Sequence, residues 1–287
     1  MSRVEVRKTY KLFIGGAFPR SESGRSYEVM SAHGDFLANA AKASRKDGRD
    51  AVVAARKGHA AWTSATAYNR GQVLYRVAEV MEGRRDQFIE EVATAEGIDR
   101  DVAAAQVDAA IDRWVWYAGW ADKVAQVLGS SNPVAGPYFN FSIPEPCGVV
   151  VAVAPQDSSL LGLVSVVAPI IVTGNAVVVI ASSARPLPSI TLSEVLATSD
   201  VPAGVVNVLT GDAAEIMPWL ASHADVDALD LAGVDDVDVA AECERAAAET
   251  ITRVRRPGTT SDWSADPGMG AIRNFLETKT VWHPMGR

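Results

Sequence analysis

Two cysteines, Cys147 and Cys243, and four histidines, His33, His59, His223 and His283, are the side chains best able to act as nucleophiles, bases or metal ligands. Covalent catalysis by a thiol needs a base within reach, and a zinc site needs ligands at short, regular spacings. Neither pattern occurs. The cysteines lie far apart, neither stands beside a histidine, and no histidine falls near a Ser or Cys in a recognisable triad. The cysteines therefore read as small packing residues, and no metal site is expected. Asp157, Ser158 and Ser159 are the one polar cluster at a strand end. Asp and Ser are strong helix N-caps, so this cluster is expected to cap the apolar helix behind it. Arg253, Arg255 and Arg256 form a short basic run, read as the solvated end of a helix, where positive charge suits the dipole.

The elements that would position these residues alternate in type. The chain has 287 residues, 48% of them apolar and 22% charged, the composition of a soluble globular protein with a sizeable core. A net charge of −8 argues against a nucleic-acid or anionic-membrane partner, since both need a basic face. The opening MSRVEVRKTY lacks an apolar signal region, and the stretch from Leu160 to Val172 is too short to span a bilayer. A cytoplasmic location is the expectation. YKLFIGGAF suggests a short strand and turn, and SGRSYEVMSAHGDFLANAAKAS an extended pair. DGRDAVVAARKGHAAW, NRGQVLYRVAEVMEGRRDQFIEEVATAEG and RDVAAAQVDAAIDRWVWYAGWADKVAQ carry apolar residues at helical spacing. In the third, Trp114, Trp116, Tyr117 and Trp120 occupy more than one face, which predicts core packing for most of them. SSNPVAGPYFNFSIPEPCG suits an exposed hairpin, and its aromatics Tyr138, Phe139 and Phe141 hint at a covering partner. Near-continuous Val/Ile runs then alternate with helices from VVVAVAP to VDALDLAG, and VDVAAECERAAAETITRV closes as a long helix. Together they predict an α/β fold: a Rossmann-like, doubly wound parallel sheet covered on both faces, with N-terminal helices, the hairpin and a C-terminal strand.

The segments PEPCGVVVAVAP, APIIVTGNAVVVIASSARPLP, VPAGVVNVLTGDAAE and HADVDALDLAG, in that order, resemble the cofactor domain of the aldehyde dehydrogenase superfamily. The matching positions are Pro146, Gly148, Pro155, Gly174, Asn175, Pro202, Gly204, Val208, Gly211, His223 and Gly233. RNFLETKTVWHP at the end is similar to the last strand of some bacterial members. An ordered match over several elements is more specific than any single short motif.

The resemblance also shows what has changed. Where the family carries an oxyanion-donating Asn, this chain has Asp157, whose carboxylate would repel developing negative charge. Ile180 stands where the family has a ribose-binding Lys and can donate no hydrogen bond from its side chain, and Ser183 falls in the degenerate segment after it. The family's pyrophosphate motif reads from Gly233 to Asp238 here, and Asp235, Asp236 and Asp238 crowd a helix start that should receive an anion. The segments that carry the family's general base and nucleophilic cysteine find no match, and neither Cys147 nor Cys243 transfers to that position.

By resemblance, residues 1–129 are the N-terminal strands and helices of the cofactor domain, 130–147 an oligomerisation hairpin, and 148–257 the Rossmann-like core. Residues 258–270 are a linker in place of the catalytic domain, and 271–287 an oligomerisation tail. No catalytic residue and no functioning cofactor contact is expected, although family members use NAD. Tyr138, Phe139, Phe141, Thr280 and Trp282 are the expected interface. The reading that follows is a non-catalytic pseudoenzyme subunit, a free-standing counterpart of the degenerate module of the two-module aldehyde dehydrogenases known as family 16. Its partner would be a full-length aldehyde dehydrogenase subunit or a second copy of itself. The alternatives are an NAD(H)- or nucleotide-binding module, since the frame survives, and a divergent enzyme with residual dehydrogenase activity.

Overall fold

The computed structural model describes residues 8–256 and 262–286. Near the start, Tyr10, Phe13 and Ile14 make single bridges, not a full strand, and Gly15 and Gly16 take φ of 59° and 78° in the turn that pairs Ile14 with Ala17. Strands β1 (Ser26–Met30) and β2 (Phe36–Ala41) form the expected antiparallel pair. Helix α1 (Arg45–Ser64) opens with a reciprocal cap in which Ser44 and Asp47 satisfy each other's backbone N–H groups. Helices α2 (Ala67–Glu82), α3 (Arg85–Glu96), α4 (Arg100–Trp120) and α5 (Val124–Leu128) follow. Two of the long helical patterns are therefore broken. Gly83 ends α2 by donating to Glu79 O, and α4 stops at Trp120 before the single turn of α5. Apolar periodicity continues through both breaks, so it could not reveal them.

Strands β3 (Ser130–Asn132) and β4 (Tyr138–Pro146) form the hairpin. Then come β5 (Val149–Val153), α6 (Leu161–Val172), β6 (Ala176–Ile180), α7 (Leu187–Ala197), β7 (Val206–Leu209), α8 (Ala213–Ala221), β8 (Ala228–Asp230) and α9 (Val237–Glu249). The predicted long closing helix is corrected at this point. Helix α9 ends at Glu249, Ile251 turns the chain with φ of 57°, and β9 (Arg253–Arg255) adds a fifth strand beside β8. The arginines are thus no solvated helix end. A β-branched residue at positive φ is costly, and strand pairing compensates. Helix α10 (Gly270–Arg273) and β10 (Leu276–Pro284) complete the described chain.

Strands β5 to β9 form one parallel sheet in the order β7-β6-β5-β8-β9. Period-two alternation sends their side chains to opposite faces. Val177 and Val179 of β6 join a core cluster with Trp62, Phe88, Trp114, Tyr117 and the whole of α6. Ala176, Val178 and Ile180 join a second cluster with Val52 of α1, Met217 of α8 and Cys243 of α9. The central strands β5 and β6 are buried on both faces and read as unbroken apolar runs for that reason. Trp114 and Tyr117 are core residues, while Trp116 and Trp120 are half-buried and stack on one another. No helix among the described residues is long and apolar enough to cross a membrane.

Candidate functional site

A doubly wound sheet binds ligands at the carboxyl ends of its strands, where the strand order reverses. Here that point lies between β5 and β8. Gly233 sets its width. A Cβ at this position would collide with Ala154 O, and the Gly233 N–H donates to Val153 O at 3.0 Å, so the two strand ends are held in contact.

The loops around the crevice are joined to each other. Gln156 Nε2 donates to Ala154 O (2.8 Å), and its Oε1 accepts from the Ser183 backbone N–H (3.0 Å) and hydroxyl (3.3 Å). Ser182 Oγ donates to Gln156 O, and Arg185 Nη1 donates to Asp157 O. Ser183 is thus engaged within the protein, and Asp157 is exposed on the rim. The expected capping cluster divides its labour: Ser158 Oγ accepts from Gly162 N–H at the start of α6, whereas Ser159 donates twice to Glu96. Asp157 makes no side-chain cap. Ile180 is fully buried in the core cluster shared with α1, α8 and α9.

Across the crevice, Asp236 is the N-cap of α9 and accepts from the N–H groups of Asp238 (2.8 Å) and Val239 (3.2 Å). Asp238 stands exposed in the first turn. The donors that an anionic ligand would use already hold a carboxylate, and further negative charge surrounds them. One pair here escaped the sequence reading. Asp230, 1% exposed at the end of β8, accepts from Arg255 Nη1 of β9 at 2.7 Å and from the Ala232 N–H. Burial pushes its carboxyl above the ordinary range, and Arg255 opposes that rise. The legible signal was a pair of acids, Asp227 and Asp230, in the otherwise apolar run VDALDLAG, with arginines alternating in RVR. A dinucleotide diphosphate does not fit this set of groups.

The thiols are equally closed. Burial pushes Cys147 up to about 12 and Cys243 up to about 11, which keeps both as neutral thiols near pH 7. Cys147 Sγ donates to Asn175 Oδ1 at 3.4 Å. His59 Nδ1 lies 3.1 Å from Gly174 O, and His223 Nδ1 accepts from Asp225 N–H, so both have structural partners. Among the described residues, no three His, Cys, Asp or Glu side chains are grouped to hold a metal.

The third region is a separate sheet in the order β10-β4-β3. Strand β10 pairs with β4 in unbroken antiparallel register from Leu276 opposite Pro146 to Pro284 opposite Tyr138. Thr280 Oγ1 meets Ser142 Oγ at 2.8 Å, and Ser142 and Asn140 accept from Asn132 Nδ2. Trp282 packs edge-on against Tyr138, and Phe139 lies against Phe141. Tyr138, Phe139 and Trp282 are 42%, 48% and 59% exposed, and β10 is an edge strand. The sheet is tied to the core at its base. Ile272 and Phe275 are buried, Phe275 O accepts from Cys147 N–H and Asn175 Nδ2, and Arg253 donates to the carbonyls of Asn274 and Leu276 and to Glu277. Residues 258–261 of the expected linker lie outside the described residues. Beyond them, Arg113 donates to the carbonyls of Trp263 and Ala265 and to Ser165 of α6.

The family model described as the aldehyde dehydrogenase family matches residues 18–256. The putative aldehyde dehydrogenase DhaS of Bacillus subtilis (strain 168) is 30% identical over 257 residues, covering 87% of this chain and 50% of that protein. Retinal dehydrogenase 2 of Gallus gallus is 32% identical over 243 residues, covering 82% of this chain and 45% of that one. The cytosolic 10-formyltetrahydrofolate dehydrogenase of Pongo abelii is 31% identical over 244 residues, covering 81% and 26%. Among solved structures, the NAD+ complex of an aldehyde dehydrogenase from Bacillus cereus superposes with a TM-score of 0.80 at 26% identity, over 86% of this chain and 50% of that one. The chain spans about half or less of the length of these relatives.

Proposed function

The chain belongs to the aldehyde dehydrogenase family, and on that premise we propose that it serves as a non-catalytic subunit that assembles with a full-length, NAD-dependent member through the β10-β4-β3 sheet. One contrast carries the reading. The polar groups around the crevice are bonded to one another, whereas the separate sheet keeps three large aromatic rings and a nine-residue edge strand outward. Exposed edges and aromatic rims are costly to leave uncovered, and a partner strand would satisfy both. The role inferred is that of the degenerate module in two-module family members: it supplies structure or regulation to a catalytic neighbour. Aldehyde oxidation by this chain alone is disfavoured because both thiols are held neutral and the helix start at Asp236 is self-capped.

Native mass spectrometry of this chain alone and mixed with a full-length dehydrogenase such as DhaS tests the proposal. A mixed complex is expected. A homodimer that ignores the enzyme, or aldehyde turnover by the isolated chain, overturns it.

A further inference from the structure

We propose that a groove beside Tyr10, on the side of the molecule formed by the first strands, binds a small phosphate-bearing molecule. The groove has a volume of about 320 Å³ and is bounded by Lys11, Arg20 and Arg25, with Ser26, Asn39 and Tyr10 between them. No carboxylate is among its lining residues. Among the described residues, Lys11 and Arg20 make no ion pair or hydrogen bond, and the Arg25 guanidinium reaches Glu215 only at 3.6 Å. Elsewhere Arg56, Arg84, Arg85, Arg100, Arg253 and Arg255 each hold a carboxylate. Two unpaired cations beside one concavity concentrate positive potential there, while the Arg25 guanidinium is engaged by Ser23 Oγ at 3.4 Å and Glu215 at 3.6 Å.

The donor set selects the ligand. Arginine forks match the oxygens of a phosphate, and a dianion needs more than one cation to offset its desolvation. The Ser26 hydroxyl and Asn39 amide add neutral donors. The half-buried Tyr10 lines the groove, with Lys8 Nζ over its ring at 4.7 Å from the centroid. The volume is at the small end of ligand sites, enough for a phosphate and one ring. The overall negative charge repels a long polyanion, so a small molecule is favoured over nucleic acid. The groove is separate from both the crevice and the exposed sheet, and its occupancy does not depend on the assembly reading.

Calorimetric titration of the full chain with pyrophosphate and with adenosine monophosphate tests the site, with amide NMR shifts locating any binding. Saturable binding that weakens with salt is expected, with shifts centred on residues 9–26. Arg20→Ala and Lys11→Ala should each weaken it about tenfold or more, and Lys57→Ala on exposed α1 surface should leave it unchanged. Circular dichroism will confirm that the variants fold. No heat up to about 10 mM ligand, equal affinity for sulfate, insensitivity to both substitutions, or shifts centred on residues 233–239 would each overturn the assignment.

Discussion

The crevice between β5 and β8 and the sheet formed by β3, β4 and β10 treat their polar groups in opposite ways. In the crevice, Gln156 joins two loops, Asp236 caps its own helix, and Asp230 is neutralised by Arg255. Each group that a ligand would have used is committed to the protein. In the separate sheet, internal bonds such as Ser142 to Thr280 fix the strands, while the edge of β10 and the rings of Phe139 and Trp282 face outward. The first region bonds its polar groups to one another, and the second keeps its rings at the surface. The two regions lie on different sheets, so the internal bonding of one and the exposure of the other are set independently.

That contrast can be broken in graded steps. Phe275→Ala should act most strongly, since it empties a fully buried site at the base of β10: a loss of about 3–5 kcal/mol is expected, read as a fall in Tm of roughly 10 °C and as faster proteolysis beyond Arg253. Arg255→Ala should cost about 3 kcal/mol near neutral pH, because it strands the buried Asp230 carboxylate. Its pH dependence follows from the raised pKa of Asp230. A carboxyl raised in the folded state contributes most below its unfolded pKa, and that contribution is lost as pH rises through the folded value. Without Arg255 the rise is larger, so the deficit against wild type should shrink in urea titrations at about pH 4 and grow toward neutrality. A deficit independent of pH would mean that Asp230 is not part of a charged core. Next, Phe139→Ser combined with Trp282→Ser should weaken association with a full-length dehydrogenase by about 2 kcal/mol or more, roughly thirtyfold, without moving Tm. Unchanged affinity would show that this face is not the recognition surface. The smallest effect is expected for Asp236→Ala, a cap loss of about 1 kcal/mol seen as a Tm lower by roughly 2–4 °C. NADH fluorescence should still show no saturation below about 1 mM. If nucleotide binding appeared, the crevice would be a self-blocked site and not a rebuilt core.

The alternation of Val/Ile runs with helices made the parallel sheet legible, because burial on both faces imposes unbroken apolar strands. The hairpin was legible from Pro and Gly flanking Tyr138, Phe139 and Phe141. The breaks at Gly83 and Trp120 were not, since both flanking helices bury the same face and keep the period. Arg253–Arg255 escaped as a strand because three residues are too short for a period, and their pairing with β8 is a long-range fact. At the crevice, departures from the family pattern could be read at Asp157, Ile180 and Asp238. The bonding around them could not: Gln156 and Ser183 meet only because β5 and β6 are neighbours, and Asp230 finds Arg255 only because β8 and β9 are.

Arg253 has a consequence for chain length. One guanidinium grips the last strand of the parallel sheet from within and holds the carbonyls of Asn274 and Leu276, where the polypeptide comes back to start β10. Departure and return are thus clasped at one spot. Closing a longer excursion between two points already fixed in space adds only a slowly growing, logarithmic entropy cost. A longer excursion after Arg256 could therefore be closed at the same clasp for a small added entropy cost.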